Sequence, residues 1–203
     1  MKRLLLSALV ILAVICGSTA QAQDWAKEQL NKSPRHSEWV DLKHGDRTVK
    51  AFVVYPEVKT KAPAVLVIHE IFGLTDWARN LADELAAAGY IAIAPDLLSA
   101  PGKDTQSYPD QGAAIKAVSA LQASQIFPDL DAAADYATKL PACNGSLAVT
   151  GYCWGGGWSF KYANHNPHLK AAFVFYGTGP EKADDAAKVA CPVYGFYAKM
   201  MRE

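Results

Sequence analysis

Hydrophobic positions along the chain fall into two kinds of run, one with the period of a strand and one with the period of a helix, and the two alternate. Ser37 to Leu42 and Thr48 to Tyr55 mix β-branched and aromatic residues with polar ones around His44-Gly45-Asp46, which predicts a two-stranded hairpin. Ala64 to Ile68 is apolar without interruption, the pattern of a strand covered on both faces in a parallel sheet. Asp76 to Ala88 carries Trp77, Leu81 and Leu85 at helical spacing, and Gly89 stands where a helix would be capped. Tyr90 to Ala94 reads as the next strand, stopped by Pro95, and a polar excursion runs from Ser99 to Asp110. Helical spacing resumes at Gln111 to Gln122, Leu130 to Leu140 and Gly155 to Asn164. Further strands are predicted at Leu147 to Tyr152, Ala171 to Tyr176 and Val193 to Tyr197.

This alternation predicts an α/β fold, a mostly parallel sheet with helices on both faces. Ligands in such sheets gather at the carboxyl ends of the strands. Two stretches lie there: His69-Glu70-Ile71-Phe72-Gly73 after the central strand, and Gly151-Tyr152-Cys153-Trp154-Gly155 after a later one.

Composition narrows the classes. A chain of 203 residues, 51% hydrophobic and without an internal repeat, is expected to fold as one domain rather than as a disordered, collagenous or solenoid protein. Lys plus Arg and Asp plus Glu number 20 each, with no basic run beyond the first three residues, so no nucleic-acid partner is expected. Lys2 and Arg3, the apolar run Leu4 to Cys16 and the pattern Ala20-Gln21-Ala22 read as a secretory signal over residues 1–22. The run is shorter than the roughly 18 residues a membrane-spanning helix needs, which implies a periplasmic or secreted protein with no membrane contact after cleavage. Residues 23–36 then form an N-terminal arm, with a short helix at Asp24 to Leu30, and residues 37–203 the domain. Cleavage leaves Cys143, Cys153 and Cys191, an odd number. Cys143 and Cys191, both placed before strands, are a candidate pair.

The chemistry centres on Cys153. Gly-x-Cys-x-Gly between a predicted strand and a predicted helix is the context in which a nucleophile is lifted above a sheet on a sharp turn. The crowding of such a turn demands small neighbours, which Gly151, Gly155, Gly156 and Gly157 supply. At a helix N-terminus, free amide N–H groups and the helix dipole favour a negative sulfur. The alternative is a buried cysteine in a glycine-rich turn. Glu70 breaks an apolar run at the end of a core strand, where a charge is costly unless partnered. It is either a strand-end carboxylate satisfied by arginine or solvent, or a group that takes the thiol proton when substrate arrives.

Together with Ala94-Pro95-Asp96-Leu97, the Glu-Ile-Phe-Gly and Gly-Tyr-Cys-Trp-Gly-Gly motifs resemble the dienelactone hydrolase (carboxymethylenebutenolidase) family, over about Trp39 to Tyr197. That family has the α/β-hydrolase fold and a Cys-Asp-His triad. The resemblance implies Cys153 as nucleophile, Glu70 as the residue holding the resting thiol, and the backbone N–H groups of Ile71 and Trp154 as the oxyanion hole. It implies a small ester or lactone as substrate and no cofactor; no Cys/His spacing here suggests a metal. The family's acid and histidine are expected after the last strands, where this sequence reads Ala198-Lys199-Met200-Met201-Arg202-Glu203. The resemblance therefore implies a chain incomplete at its C-terminus, with the last strand and helix missing. Dienelactone binders of the family use an arginine near Ser99 to Asp110 for the substrate carboxylate; here that stretch offers only Lys103, a poor clamp. His69 is expected to pack at a strand end, Arg79, His165 and His168 to lie on the surface, and Trp77, Trp154 and Trp158 to line an apolar pocket or the core. The first functional expectation is a thiol-dependent ester or lactone hydrolase. The second is a binding module or catalytically incomplete relic of the same fold. A thiol redox protein is disfavoured because Cys153 lacks a Cys-x-x-Cys neighbour.

Overall fold

A computed structural model describes residues 23–180 and 182–198. The secretory-signal reading of residues 1–22 lies outside the described residues, as does the stretch from Lys199 on. The strands are β1 (Ser37–His44), β2 (Arg47–Val54), β3 (Ala62–Ile68), β4 (Ile91–Pro95), β5 (Cys143–Tyr152), β6 (Ala171–Phe175) and β7 (Val193–Phe196). They lie in the order β1-β2-β4-β3-β5-β6-β7. The hairpin β1–β2 is antiparallel and joins β4 antiparallel; from β4 to β7 every neighbour is parallel. The helices are α1 (23–32), α2 (Asp76–Ala87), α3 (Gln111–Ala120), α4 (Ala123–Lys139), α5 (Trp154–His165) and the short α6 (Ala183–Ala186).

The uninterrupted apolar run at β3 is explained by burial on both faces. Leu66 and Ile68 join Ile93, Val149, Ile126, Leu130 and Tyr162 in the core beneath α4 and α5. Val65 and Val67 face the other way, onto Ala78, Ala82 and Ala86 of α2, whose small inner side chains let the helix lie close to the sheet. Gly89, at φ 96°, ends α2 as its position in the sequence predicts, with the Tyr90 N–H donating to the Leu85 carbonyl. Beyond α2, the same side of the sheet carries an aromatic ladder: Tyr152, Phe175 and Phe196 stack in sequence at 4.3 and 4.5 Å, and Phe173 stacks on Tyr194 at 5.3 Å.

Two expectations change. The helix predicted from Leu130 begins at Ala123 and carries Pro128 within it, because Ile126 and Asp129 are fully buried and hold that first stretch down. Asp129 is paired there with Arg47 and His44 of the hairpin. The arm of residues 23–36 is docked on the domain: Leu30 packs beside α2, and Ser33 and Arg35 both bind the buried Asp83. Cys143 and Cys191 are free thiols, the first buried at the start of β5 and the second partly buried before β7.

Candidate active site

Strand register builds the site. Ile68 of β3 pairs with Gly151 of β5, and Glu70 and Cys153 each stand two residues further on. Neighbouring strands are about 4.8 Å apart, so the pairing brings the carboxylate and the thiol to adjacent positions at the carboxyl edge of the sheet. Cys153 is the N-cap of α5 and turns the chain at φ 54°, a left-handed conformation that a residue with a side chain adopts at a cost of about 1–3 kcal/mol. What holds it is close backbone packing: a Cβ on Gly151 would overlap the Gly155 carbonyl, and one on Gly155 would overlap the carbonyls of Ile68 and His69. The Cys153 N–H donates to the Phe175 carbonyl at 3.0 Å, tying the turn to β6. The side chain is left exposed.

Tyr176 completes the group. It follows β6, has the second positive φ of a non-glycine residue (41°), and donates its own N–H to the Phe196 carbonyl at 2.8 Å. Its phenol lies near enough to Glu70 and Cys153 to feel the charges of both; burial first, and then these charges, push it up to about 12. It therefore stays a donor throughout the neutral range. Burial also pushes the Glu70 carboxyl above its ordinary range, while the neighbouring Tyr176 phenol works against that rise. Sequence reasoning missed Tyr176. The available signal was a Tyr-Gly pair directly after a core strand, at a level with the other two strand ends.

The two residues whose backbone N–H groups are expected to form an oxyanion hole share a packing cluster. Ile71 and Trp154 both pack on the small cluster Leu98, Ala114 and Val118. The turn bearing Ile71 is closed by the Gly73 N–H on the Glu70 carbonyl at 3.2 Å. It is pinned from below by buried Asp96, which accepts from the Thr105 hydroxyl at 2.8 Å, while Thr105 Oγ1 accepts from the Leu74 N–H at 2.9 Å.

The remaining candidates lie elsewhere. His165 is bound to Asp131 and stacked on Phe127, and His168 is exposed. Arg79 is partly buried rather than a plain surface residue: it pairs with Asp76 and lies over the rings of Trp39 and Phe52. Lys103 is exposed. Trp158 belongs to the core, Trp154 stacks on His69, and Trp77 meets Tyr152 edge-on.

Comparison with known proteins bears on family and fold. A carboxymethylenebutenolidase of Pseudomonas putida is 32% identical over 150 residues, covering 72% of this chain and 63% of its own. A Salmonella typhi protein provisionally given the same name is 35% identical over 159 residues, covering 73% of this chain and 58% of its own. The chain thus spans somewhat under two thirds of the length of these relatives. Among solved structures, a provisionally named dienelactone hydrolase of Klebsiella pneumoniae superposes with a TM-score of 0.69 at 32% identity, over 79% of this chain and 71% of that one. A dienelactone hydrolase-like promiscuous phosphotriesterase from metagenomic libraries does so with 0.66 at 27%, over 79% and 67%. The fold is that of the α/β hydrolases. With the dienelactone hydrolase family profile matching residues 49–200, and relatives of that name matching most of its length, the chain belongs to the dienelactone hydrolase family.

Proposed function

We propose that the protein is an exported hydrolase of small esters or lactones that works through an acyl-cysteine intermediate on Cys153. The observation that carries this is the conformation of Cys153, exposed at positive φ between β5 and α5, on a turn whose packing only glycine neighbours permit. In the first step the sulfur attacks the carbonyl carbon, the C–S bond forms and the C–O bond to the leaving alcohol breaks. Glu70 takes the thiol proton and passes it to the departing alkoxide, and its raised affinity for protons suits that role better than an ordinary surface carboxylate would. The charge developing on the carbonyl oxygen is met by the N–H groups of Ile71 and Trp154. Water then attacks the thioester, the C–S bond breaks, and the acid and the thiol are released.

Small, uncharged acyl groups fit best, because Arg79 is already engaged with Asp76 and the Ser99 to Asp110 excursion offers no arginine. The carboxymethylenebutenolidase relatives extend the expectation to lactones. The test is p-nitrophenyl acetate with mass spectrometry: one acetyl group on Cys153 and none in Cys153→Ala is expected, and an unmodified Cys153 during product release overturns the reading. Export is supported by the basic start, apolar run and Ala-x-Ala pattern of residues 1–22. N-terminal sequencing of the mature protein should begin at Gln23.

A further inference from the structure

We propose that His69 is a positioning residue for the oxyanion hole, its Nδ1–H fixing the Glu70–Ile71 peptide while its ring braces Trp154. The inference rests on the reading of Ile71 and Trp154 as the oxyanion donors. His69 is 1% exposed, and its Nδ1 lies 2.7 Å from the Glu70 carbonyl oxygen. A carbonyl only accepts, so Nδ1 carries the hydrogen, which sets the tautomer. Nε2 is then a lone pair, buried and without a partner among the described residues. An imidazolium there would hold an unsatisfied N–H in the interior, and burial accordingly keeps the ring neutral against the pull of nearby Asp96.

The carbonyl that accepts this hydrogen bond belongs to the same peptide unit as the Ile71 N–H. A trans peptide is planar with its C=O and N–H opposed, so holding the oxygen from behind aims the N–H forward. The Glu70 oxygen accepts twice, from His69 Nδ1–H and from the Gly73 N–H, and each such bond polarises the amide and strengthens its own N–H as a donor, by about 10–30% per bond. The second contact sets the other donor. The imidazole lies parallel to the Trp154 indole, 5.5 Å between centroids and 9° between planes. Behind both, Gly155 presses on the carbonyls of Ile68 and His69. One side chain thus spans the two segments that supply the donors, which neither the triad chemistry nor simple strand-end packing requires.

The test separates orientation of the oxyanion hole from reactivity of the thiol. Acetylation of Cys153 by p-nitrophenyl acetate builds an oxyanion; alkylation by iodoacetamide does not. Both rates are measured on the 203-residue chain and on His69→Phe, which keeps a stacking ring without the donor. His69→Asn restores an N–H near the position of Nδ1, and His69→Gln carries its amide one carbon too far. Loss of one whole oxyanion donor is typically worth about 10² to 10³ in rate, so misaiming one should slow acetylation by about 10-fold or more in His69→Phe and His69→Gln. Alkylation should stay within about twofold of the wild type. His69→Asn should recover most of the acetylation rate, and this arm stands even where the Phe variant fails to fold. Acetylation at the wild-type rate in His69→Gln, a parallel fall in alkylation, or an Asn variant as slow as Gln overturns the inference. A wild-type chain that never acetylates Cys153 overturns instead the nucleophile reading beneath it, and the inference with it.

Discussion

Because burial raises the Glu70 carboxyl, the folded chain keeps a proton there at pH values where the unfolded chain has released it. This contribution favours folding fully below the ordinary carboxyl value of 4.5 and is lost as pH rises through the higher folded value. Glu70→Gln, neutral at every pH, should therefore melt above the wild type at pH 8 and level with it near pH 4, as followed by circular dichroism. The same variant should acetylate Cys153 about 10²-fold more slowly or worse, since it cannot accept the thiol proton. A melting difference that does not change with pH would show that Glu70 is not the group responsible. The three described thiols differ just as clearly. Cys153 is exposed, Cys143 is buried, and the Cys191 thiol is partly buried and pushed up by that burial. Brief iodoacetamide treatment followed by peptide mapping should find Cys153 labelled first; equal labelling would count against an accessible nucleophile.

Among the elements, α4 and the hairpin depend on each other through Asp129. Its carboxylate is fully buried and accepts from Arg47 Nε at 2.8 Å, with His44 Nε2 at 2.6 Å. Arg47→Ala leaves that carboxylate with histidine alone, and the chain should lose on the order of 3 kcal/mol in urea unfolding. This pairing also explains what the sequence hides. Leu130, Ala133 and Ala137 announce the later turns of α4 by their spacing, but the stretch from Ala123 to Asp129 is interrupted by Pro128. It is helical because Ile126 and Asp129 are buried against strands far away in the chain. β3 and β5 are legible for the opposite reason, since burial on both faces writes an apolar run and the glycines of the elbow are demanded locally. Tyr176 is illegible alone: its meaning depends on β3, β5 and β6 ending level, so that its phenol reaches Glu70. His69 is visible as a strand-end residue, while its orientation toward the next carbonyl is a matter of one side-chain torsion that no spacing encodes.

At the scale of the molecule, the sheet is unevenly covered among the described residues. The hairpin end is packed by α2, α4 and the docked segment before β1, whereas β7 stands at the other edge with Tyr194 50% and Phe196 46% exposed. An exposed aromatic edge strand is a template for pairing with another chain. The 203-residue chain is expected to self-associate with rising concentration, and Phe196→Lys to suppress this in light scattering while leaving Cys153 alkylation unchanged. Concentration-independent scattering by the wild type would refute the expectation. The elbow has a different consequence. Its tightest fits are between backbones, Gly151 against Gly155 and Gly155 against Ile68 and His69, and the Cys153 side chain takes no share in them. Shape and reactivity are thereby assigned to different codons. The reacting atom can be exchanged between sulfur and oxygen by one substitution that asks nothing of the frame, whereas the glycines around it admit almost no substitution at all. A lineage carrying this turn is free to explore nucleophile chemistry while its architecture stands still.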